Sequence, residues 1–250
     1  MSEAPHSIPE WSEDTLLGGA IVLRQPKRGF RVAIDTVLLA AAVPARTGET
    51  VFEPGAGCGA AALCLARRTG CRVVGIEPQA DLVALAVENA RRNGLDSRVT
   101  VLAGAIGAPL PAGATGPFDH AMANPPYRPA GQGTRPPDAA KAAAHIEDEA
   151  DLDAWVAAML AQLRPKGTLT LIHRADRLDA VLAALGARAG GVVVCPLWPR
   201  TGEPARRVVI RARKGVRTPL ALAAGLTLHE ADGRYTAEAD AVLRGAALDF

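Results

Sequence analysis

The sequence Val51-Phe52-Glu53-Pro54-Gly55-Ala56-Gly57-Cys58-Gly59 joins an apolar run to a turn that holds three alternating glycines. The apolar run predicts a buried strand, and the stretch Ala60–Arg68 predicts a helix after the turn. Glycines at such a turn allow the backbone to approach a bound ligand closely. Glu77 ends the next apolar run, where its carboxylate can accept hydrogen bonds from two ribose hydroxyls. The stretch therefore predicts a nucleotide-like cofactor at a strand-to-helix turn.

Strand and helix patterns alternate along the rest of the chain. After the first strand, the predicted strands are Arg72–Glu77, Val99–Ala103, Phe118–Ala123, Thr168–His173, Val192–Cys195 and Arg207–Arg211. The predicted helices are Ala60–Arg68, Gln79–Asn93, Leu152–Leu163 and Ala175–Ala189. Residues 128–147 predict a mobile loop that leads into a helix. This alternation predicts an α/β fold with a parallel sheet and right-handed crossovers.

The two ends of the chain predict smaller additions. After a loose leader (residues 1–13), Ala20–Arg24 and Phe30–Ile34 flank a Pro/Gly loop, which predicts a β-hairpin. Asp35 is predicted to cap the short apolar helix Thr36–Ala42. Near the C-terminus, the residues around Asp232-Gly233 predict a second hairpin followed by a short helix.

Asn124-Pro125-Pro126-Tyr127 follows the buried strand Phe118–Ala123. Proline cannot donate a hydrogen bond to a sheet and restricts its own φ, so the pair ends the strand in a rigid loop. Ligands of open α/β sheets bind at this end of the strands. An amide, a carbonyl and an aromatic ring at that place predict a grip on a planar, nitrogen-bearing group.

The composition excludes several classes of protein. The 250-residue chain has a formal net charge of only +2, so affinity for nucleic acid has to come from local patches. The four cysteines form no CxxC pair and have no histidine at metal-ligand spacing, so we predict buried free thiols and no metal site. No signal peptide or membrane span is recognisable, and we expect a soluble, cytoplasmic protein.

The glycine spacing by itself suits a dinucleotide almost as well as S-adenosylmethionine (SAM). Two details favour SAM. Glu53 lies at the end of the first strand, where a carboxylate suits a cationic sulfonium better than a pyrophosphate. The third glycine also comes one residue earlier than in the GxGxxG pattern of dinucleotide-binding proteins.

With these motifs, residues 50–211 resemble a class I SAM-dependent methyltransferase. The stretches Leu16–Gly19, Gln25–Arg31 and Asp35–Leu39 add a narrower resemblance to the bacterial tRNA-valine adenine-N6 methyltransferase family. The resemblance implies a Rossmann-like, seven-stranded, mostly parallel sheet with an antiparallel last strand. It implies an N-terminal part (residues 1–45) that holds the hairpin and a cofactor-capping helix, a methyltransferase core (46–215) and a C-terminal extension of the same domain (216–250). The cofactor contacts that it implies or that the motifs suggest are Asp35, Glu53, Gly55, Gly57, Glu77, Ala105 and Asn124.

One departure concerns the loop after the third strand. Enzymes of this class usually carry an acidic residue there that contacts the adenine amino group of the cofactor. Here the stretch Ala103-Gly104-Ala105-Ile106-Gly107 has no carboxylate. Either the backbone near Ala105 takes that contact, or the cofactor binds more weakly.

The chemistry that the motif predicts is methyl transfer to an exocyclic amine. The Asn124 side-chain oxygen and the Pro125 carbonyl oxygen can each accept a hydrogen bond from an N–H group of the amine. These bonds would stabilise the charge that develops on its nitrogen. Tyr127 can stack on the base. The motif does not distinguish adenine N6, cytosine N4, guanine N2 and a glutamine amide.

Basic residues near the cleft favour an RNA substrate, with tRNA as the RNA that the resemblance implies. The predicted phosphate contacts are Lys27, Arg28, Arg31, Arg206 and Arg207. Two alternatives stay open. One is methylation of a protein glutamine, as in release-factor methyltransferases, and the other is a SAM- or RNA-binding protein that has lost catalysis. The oligomeric state does not follow from the sequence.

Overall fold

The computed structural model describes residues 10–27, 31–125 and 149–250. Its strands are β1 (Trp11–Leu16), β2 (Ile21–Pro26), β3 (Thr50–Pro54), β4 (Arg72–Glu77), β5 (Val99–Ala103), β6 (Phe118–Ala123), β7 (Leu163–Arg174), β8 (Ala189–Trp198), β9 (Arg207–Lys214), β10 (Ala221–Leu222) and β11 (Leu226–Thr227). Its α-helices are α1 (Ile34–Ala42), α2 (Ala60–Thr69), α3 (Ala80–Arg92), α4 (Glu149–Gln162), α5 (Leu178–Leu185) and α6 (Ala237–Leu243).

The main sheet has the predicted architecture. Its seven long strands lie in the order β8-β9-β7-β6-β3-β4-β5, and the short β10 and β11 both pair with β8. The five strands β7-β6-β3-β4-β5 each run parallel to their neighbours in this series. By contrast, β9 is antiparallel to both β7 and β8. The predicted Rossmann-like sheet with an antiparallel last strand is therefore confirmed.

Helices cover both faces of this sheet and bury two apolar clusters. The cluster on one face includes residues of α1, α2, α3 and α6, and the cluster on the other includes residues of α4 and α5. Val51 enters the first cluster and Phe52 the second, because successive strand residues point to opposite faces. Phe52 stacks on Phe118 with ring centroids 5.5 Å apart. Because β3 is buried on both faces, its sequence is a largely apolar run and does not alternate between apolar and polar residues.

The N-terminal hairpin exists, but one of its two predicted strands is wrong. The predicted strand Ala20–Arg24 corresponds to β2, which pairs with β1. The first half of β1 falls in the segment predicted as a leader, and Ile34, predicted to end the other strand, begins a helix. The reversal falls at Gly18 and Gly19, whose φ angles of +63° and +95° suit glycine. β1 was missed because its central residues, Ser12-Glu13-Asp14, are polar and have low β-propensity.

The C-terminal part differs from its prediction in one respect. The hairpin around Asp232-Gly233 is reduced to a single bridge between His229 and Tyr235, whose rings stack 4.8 Å apart. Thr227 instead pairs with Trp198 in parallel orientation, as part of β11. The predicted short helix is α6, and the Thr236 hydroxyl caps it by accepting from the Ala239 amide.

The described ranges hold two further observations. No helix among them is long and apolar enough to cross a membrane, and no group of three or more His, Cys, Asp or Glu side chains is placed to hold a metal ion. All four cysteines are buried and free, as predicted.

Candidate active site

The predicted cofactor residues collect at one edge of the sheet. Since β3 to β6 are parallel, their carboxyl ends share that edge. Glu53 and Glu77 lie at the ends of β3 and β4, and Ala105 and Asn124 follow the ends of β5 and β6. The Gly104 amide donates to the Glu77 carbonyl oxygen at 3.1 Å, so the loop that carries Ala105 starts beside β4.

The glycine turn disfavours side chains through its backbone angles at all three glycines and through lack of room at Gly55. Gly55, Gly57 and Gly59 have φ angles of +66°, +54° and +83°, which other residues rarely adopt. A Cβ atom on Gly55 would lie 2.5 Å from the ring of Trp155 in α4. Trp155 therefore packs directly on the turn. Sequence reasoning missed this residue, although it is one of only three tryptophans in the chain.

Glu77 holds the turn in place. Its buried carboxylate accepts hydrogen bonds from the Gly57 amide at 3.0 Å and from the Gln79 amide at 3.0 Å. The Gln79 side chain donates to the same carboxylate at 3.3 Å. A carboxylate has about four acceptor positions, so capacity remains for a ligand hydroxyl.

Glu53 is a buried carboxylate with an unsatisfied atom. Its side chain is 4% exposed, and its Oε2 atom has no hydrogen-bond partner among the described residues. Burial raises the pKa of Glu53 to about 8, a hydrogen bond from the Ala62 backbone opposes this shift, and the nearby Glu77 adds to it. Because an unpaired buried charge is costly, the carboxyl group retains its proton at neutral pH until a cation compensates it.

Asp35 does not cap α1 as predicted. Ala33 occupies the N-cap position, and the Asp35 side chain is turned to Arg207 at the start of β9, with which it forms an ion pair and a hydrogen bond. Burial raises the pKa of Asp35, and the Arg207 guanidinium opposes that shift. A residue predicted for the cofactor and one predicted for RNA are thus bonded to each other across 172 positions of sequence.

Of the motif predicted to bind the amine, the structure describes Asn124 and Pro125. Asn124 is half-buried and Pro125 is buried directly after β6. β6 lies between β3, which leads into the glycine turn, and β7. Tyr127 lies outside the described residues, as does the loop predicted over 128–147.

The predicted RNA contacts differ in their surroundings. Lys27 pairs with Glu10 at 3.4 Å, and Arg31 pairs with Asp14 at 2.9 Å. Acidic side chains of the hairpin thus neutralise part of the predicted basic patch. Arg206 is exposed and has no ion pair within the described ranges. Arg28 lies outside them.

Comparisons with known proteins agree with this geometry. Residues 45–188 match the family described as "Methyltransferase domain". A tRNA1(Val) (adenine(37)-N6)-methyltransferase from Aeromonas hydrophila is 32% identical over 211 residues, which cover 83% of this chain and 86% of that protein.

Two solved structures are also similar. A predicted O-methyltransferase from Agrobacterium tumefaciens has a TM-score of 0.71 and 27% identity, covering 86% of this chain and 98% of its own. A geranyl diphosphate C-methyltransferase from Streptomyces coelicolor, solved with S-adenosyl-L-homocysteine, has a TM-score of 0.51 and 15% identity, covering 72% of this chain and 77% of its own. The second likeness concerns the fold alone.

Fold and site together define a class I SAM-dependent methyltransferase, a class whose cofactor is S-adenosylmethionine. Within that class, the chain belongs to the family of bacterial tRNA1(Val) (adenine(37)-N6)-methyltransferases. The residues present fit the cofactor. The bare glycine turn admits it, Glu77 has acceptor capacity for its ribose, and the unsatisfied Glu53 carboxylate suits its positive charge.

Glu77→Ala is expected to weaken SAM binding by about ten- to a hundred-fold, since charge-assisted hydrogen bonds each contribute about 1.5–3 kcal/mol. The variant loses both the proposed ribose contact and the bond that orients Gly57. Calorimetry with SAM measures the change. Asp96→Ala, at an exposed position just before β5 and so at the opposite edge of the sheet, is the control. A dissociation constant unchanged in Glu77→Ala would remove Glu77 from the cofactor site.

Proposed function

We propose that this protein methylates N6 of an adenine in tRNA, in the cytoplasm. The observation that carries the proposal is the placement of Asn124-Pro125 at the carboxyl end of β6, one strand from the glycine turn, in a chain 32% identical to a tRNA adenine-N6 methyltransferase. The two motifs are 65 residues apart in sequence, from Gly59 to Asn124, and meet at one edge of the sheet.

The residues of this site act mainly by positioning. SAM supplies an electrophilic methyl group, so alignment of the amine with that group is the principal task. The Asn124 side-chain oxygen and the Pro125 carbonyl oxygen each accept a hydrogen bond from one of the two N–H groups of the amine. These contacts favour a more tetrahedral nitrogen and stabilise its developing charge. Tyr127 stacks on the extruded base in this proposal.

The test is a methylation assay with labelled SAM. The protein is incubated with tRNA from cells that lack this activity, and the digested nucleosides are identified by mass spectrometry. Label in N6-methyladenosine supports the proposal, and label in another nucleoside contradicts the adenine assignment. The Asn124→Ala variant serves as the background control.

The same assay separates the two alternatives. Label in a protein glutamine, with none in RNA, would point to a release-factor type of methyltransferase. SAM binding without transfer to RNA or protein would point to a binding protein. The β-hairpin of β1 and β2 favours the RNA substrate, because release-factor methyltransferases usually have a helical domain at that position.

Basic residues near the cleft supply the proposed phosphate contacts. The pairs Lys27–Glu10 and Arg31–Asp14 are largely solvent-exposed, and exposed pairs contribute only about 0–1 kcal/mol. Phosphate groups can therefore replace these acidic partners at small cost. Arg206 needs no such exchange within the described part of the chain.

Arg206→Ala is expected to weaken tRNA binding by about three- to ten-fold and to lower the salt slope by about one, as for the loss of one phosphate contact. Binding is measured between 50 and 200 mM salt, in the range used for such slopes. Arg217→Ala is the matched control, because Arg217 is equally exposed but follows the opposite end of β9. Equal slopes for Arg206→Ala and wild type would exclude the contact.

A further inference from the structure

Asn89 of α3 and Asn93, the C-cap residue of that helix, bond the edge of β2 that faces away from β1. The Asn93 side chain accepts from the Val22 amide at 2.9 Å and donates to the Val22 carbonyl at 2.7 Å. The Asn89 side chain accepts from the Arg24 amide at 2.9 Å and donates to the Arg24 carbonyl at 2.9 Å. Each side chain thus bonds both the N–H and the C=O of one residue, as a neighbouring strand does.

The spacing of helix and strand makes this arrangement possible. Four residues of an α-helix rise about 6 Å, and two residues of a strand span about 6.6 Å. Asn89 and Asn93 therefore match Arg24 and Val22 in position, with the helix antiparallel to β2. The edge of β2 that faces away from β1 is covered, which protects it from pairing with another chain.

Asn89 differs from Asn93 in its third bond. Its fully buried amide also donates to the carbonyl oxygen of Cys58 at 3.0 Å, within the glycine turn. The Asn93 side-chain amide donates its other hydrogen bond to the carbonyl oxygen of Asn89, one helical turn earlier. Between these two side chains, Asn89 alone contacts both the hairpin and the turn.

We infer that Asn89 is a positioning residue that couples cofactor binding to the N-terminal hairpin. The Cys58 carbonyl follows Gly57, whose amide is bonded to Glu77. Ordering of the turn by SAM therefore orders the Asn89 side chain, and through it the Arg24 peptide of β2. By thermodynamic linkage, a well-docked hairpin strengthens SAM binding by the same factor.

This coupling has a consequence for the substrate. β2 ends at Pro26, next to Lys27, and the Gln25 side chain accepts from the Val32 amide, next to Arg31, at 2.8 Å. A bound cofactor would thus hold Lys27 and Arg31 in position before RNA arrives. The inference requires the cofactor but not the proposed tRNA substrate, so the tests below use no RNA.

The first test is hydrogen exchange on the wild-type protein. Saturation with S-adenosyl-L-homocysteine is expected to slow exchange of the Arg24 amide about five- to ten-fold, and that of the Val22 amide less. This measurement needs no variant and so does not depend on how a substitution folds. An Arg24 amide that exchanges at the same rate with and without the ligand would overturn the inference.

The second test compares Asn89→Ala with Asn93→Ala. Both variants lose two bonds to β2, so a purely structural role predicts equal effects on the hairpin and none specific to the cofactor. We expect Asn89→Ala to weaken binding of S-adenosyl-L-homocysteine about ten-fold, as for the loss of one or two buried hydrogen bonds, and Asn93→Ala to stay within two-fold of wild type. In Asn93→Ala, the ligand should still slow exchange at Arg24, whereas in Asn89→Ala it should not. Equal affinities of the two variants, or persistent protection at Arg24 in Asn89→Ala, would contradict the coupling.

Discussion

Asn124→Ala is expected to lower the rate of methyl transfer by at least about a hundred-fold while SAM affinity stays within a few-fold of wild type. Removing one preorganised hydrogen-bond partner from the site of charge development typically costs about 10²–10³ in rate. Asn124 lies directly after β6, whereas the turn that receives the cofactor follows β3. The loss should therefore fall on the chemical step and much less on cofactor binding.

Single-turnover assays with saturating SAM and tRNA measure this step, and calorimetry measures SAM affinity. Asn124→Asp is the companion variant, because it keeps an acceptor oxygen in place of the amide and should retain more activity than the alanine variant. Turnover of Asn124→Ala at the wild-type rate would contradict the proposed mechanism. A parallel loss of SAM binding would make Asn124 mainly a cofactor residue.

Glu53→Gln is expected to stabilise the cofactor-free protein at alkaline pH and to weaken SAM binding. The pKa of Glu53 is raised by burial to about 8, from an ordinary value of 4.5. Between these two pH values the folded protein keeps a proton that the unfolded chain has released. Stability of the wild type therefore falls as pH rises through this window, by up to about 1.4 kcal/mol per pH unit, and levels off above pH 8.

The glutamine variant has no proton to lose at this position. Its stability at pH 8–9 should exceed that of the wild type by about 2–5 kcal/mol, and the difference should vanish near pH 4.5. Urea unfolding at a series of pH values measures this. Identical pH dependence of wild type and Glu53→Gln would show that Glu53 is not the titrating group.

The affinity for SAM should rise over the same pH range in which the stability of the cofactor-free protein falls. If the cationic cofactor requires the ionised carboxylate, the wild type releases about one proton per SAM bound at pH 7, and its affinity rises with pH up to about 8. Calorimetry in two buffers of different ionisation enthalpy counts that proton. Glu53→Gln should release no such proton and should bind SAM more weakly. The same buried carboxyl group would thus lower the stability of the cofactor-free protein and strengthen cofactor binding.

The regular elements around the cofactor were predictable because their patterns are local. β4, β5 and β6 have the predicted bounds, and β3 begins one residue earlier. Each is a largely apolar run buried in the sheet, and it is ended by Pro54, Glu77, Gly104 or Asn124. The glycine turn was equally predictable, because its residues are contiguous and their spacing is the one expected of a ligand-binding turn.

The hairpin shows where local patterns failed. β1 carries Ser12, Glu13 and Asp14 and gains its stability from pairing with β2, so its own composition did not identify it. Phe30 and Ile34 gave an apolar run that looked like a strand, but Ile34 begins α1 because that helix packs on α2. In both cases tertiary packing outweighed intrinsic propensity.

The class of sheet, the glycine turn and the family could be inferred from the amino-acid sequence alone, since each depends on neighbouring residues or on a match of motifs. The packing of Trp155 on Gly55, the bond between Asp35 and Arg207, and the bonds of Asn89 to β2 and the turn became visible only in the folded chain. These partners are 31 to 172 positions apart along the chain. Such contacts have no local signature, because any of many polar or aromatic side chains could meet across a folded core, and the packing of helices on the sheet selects the ones that do.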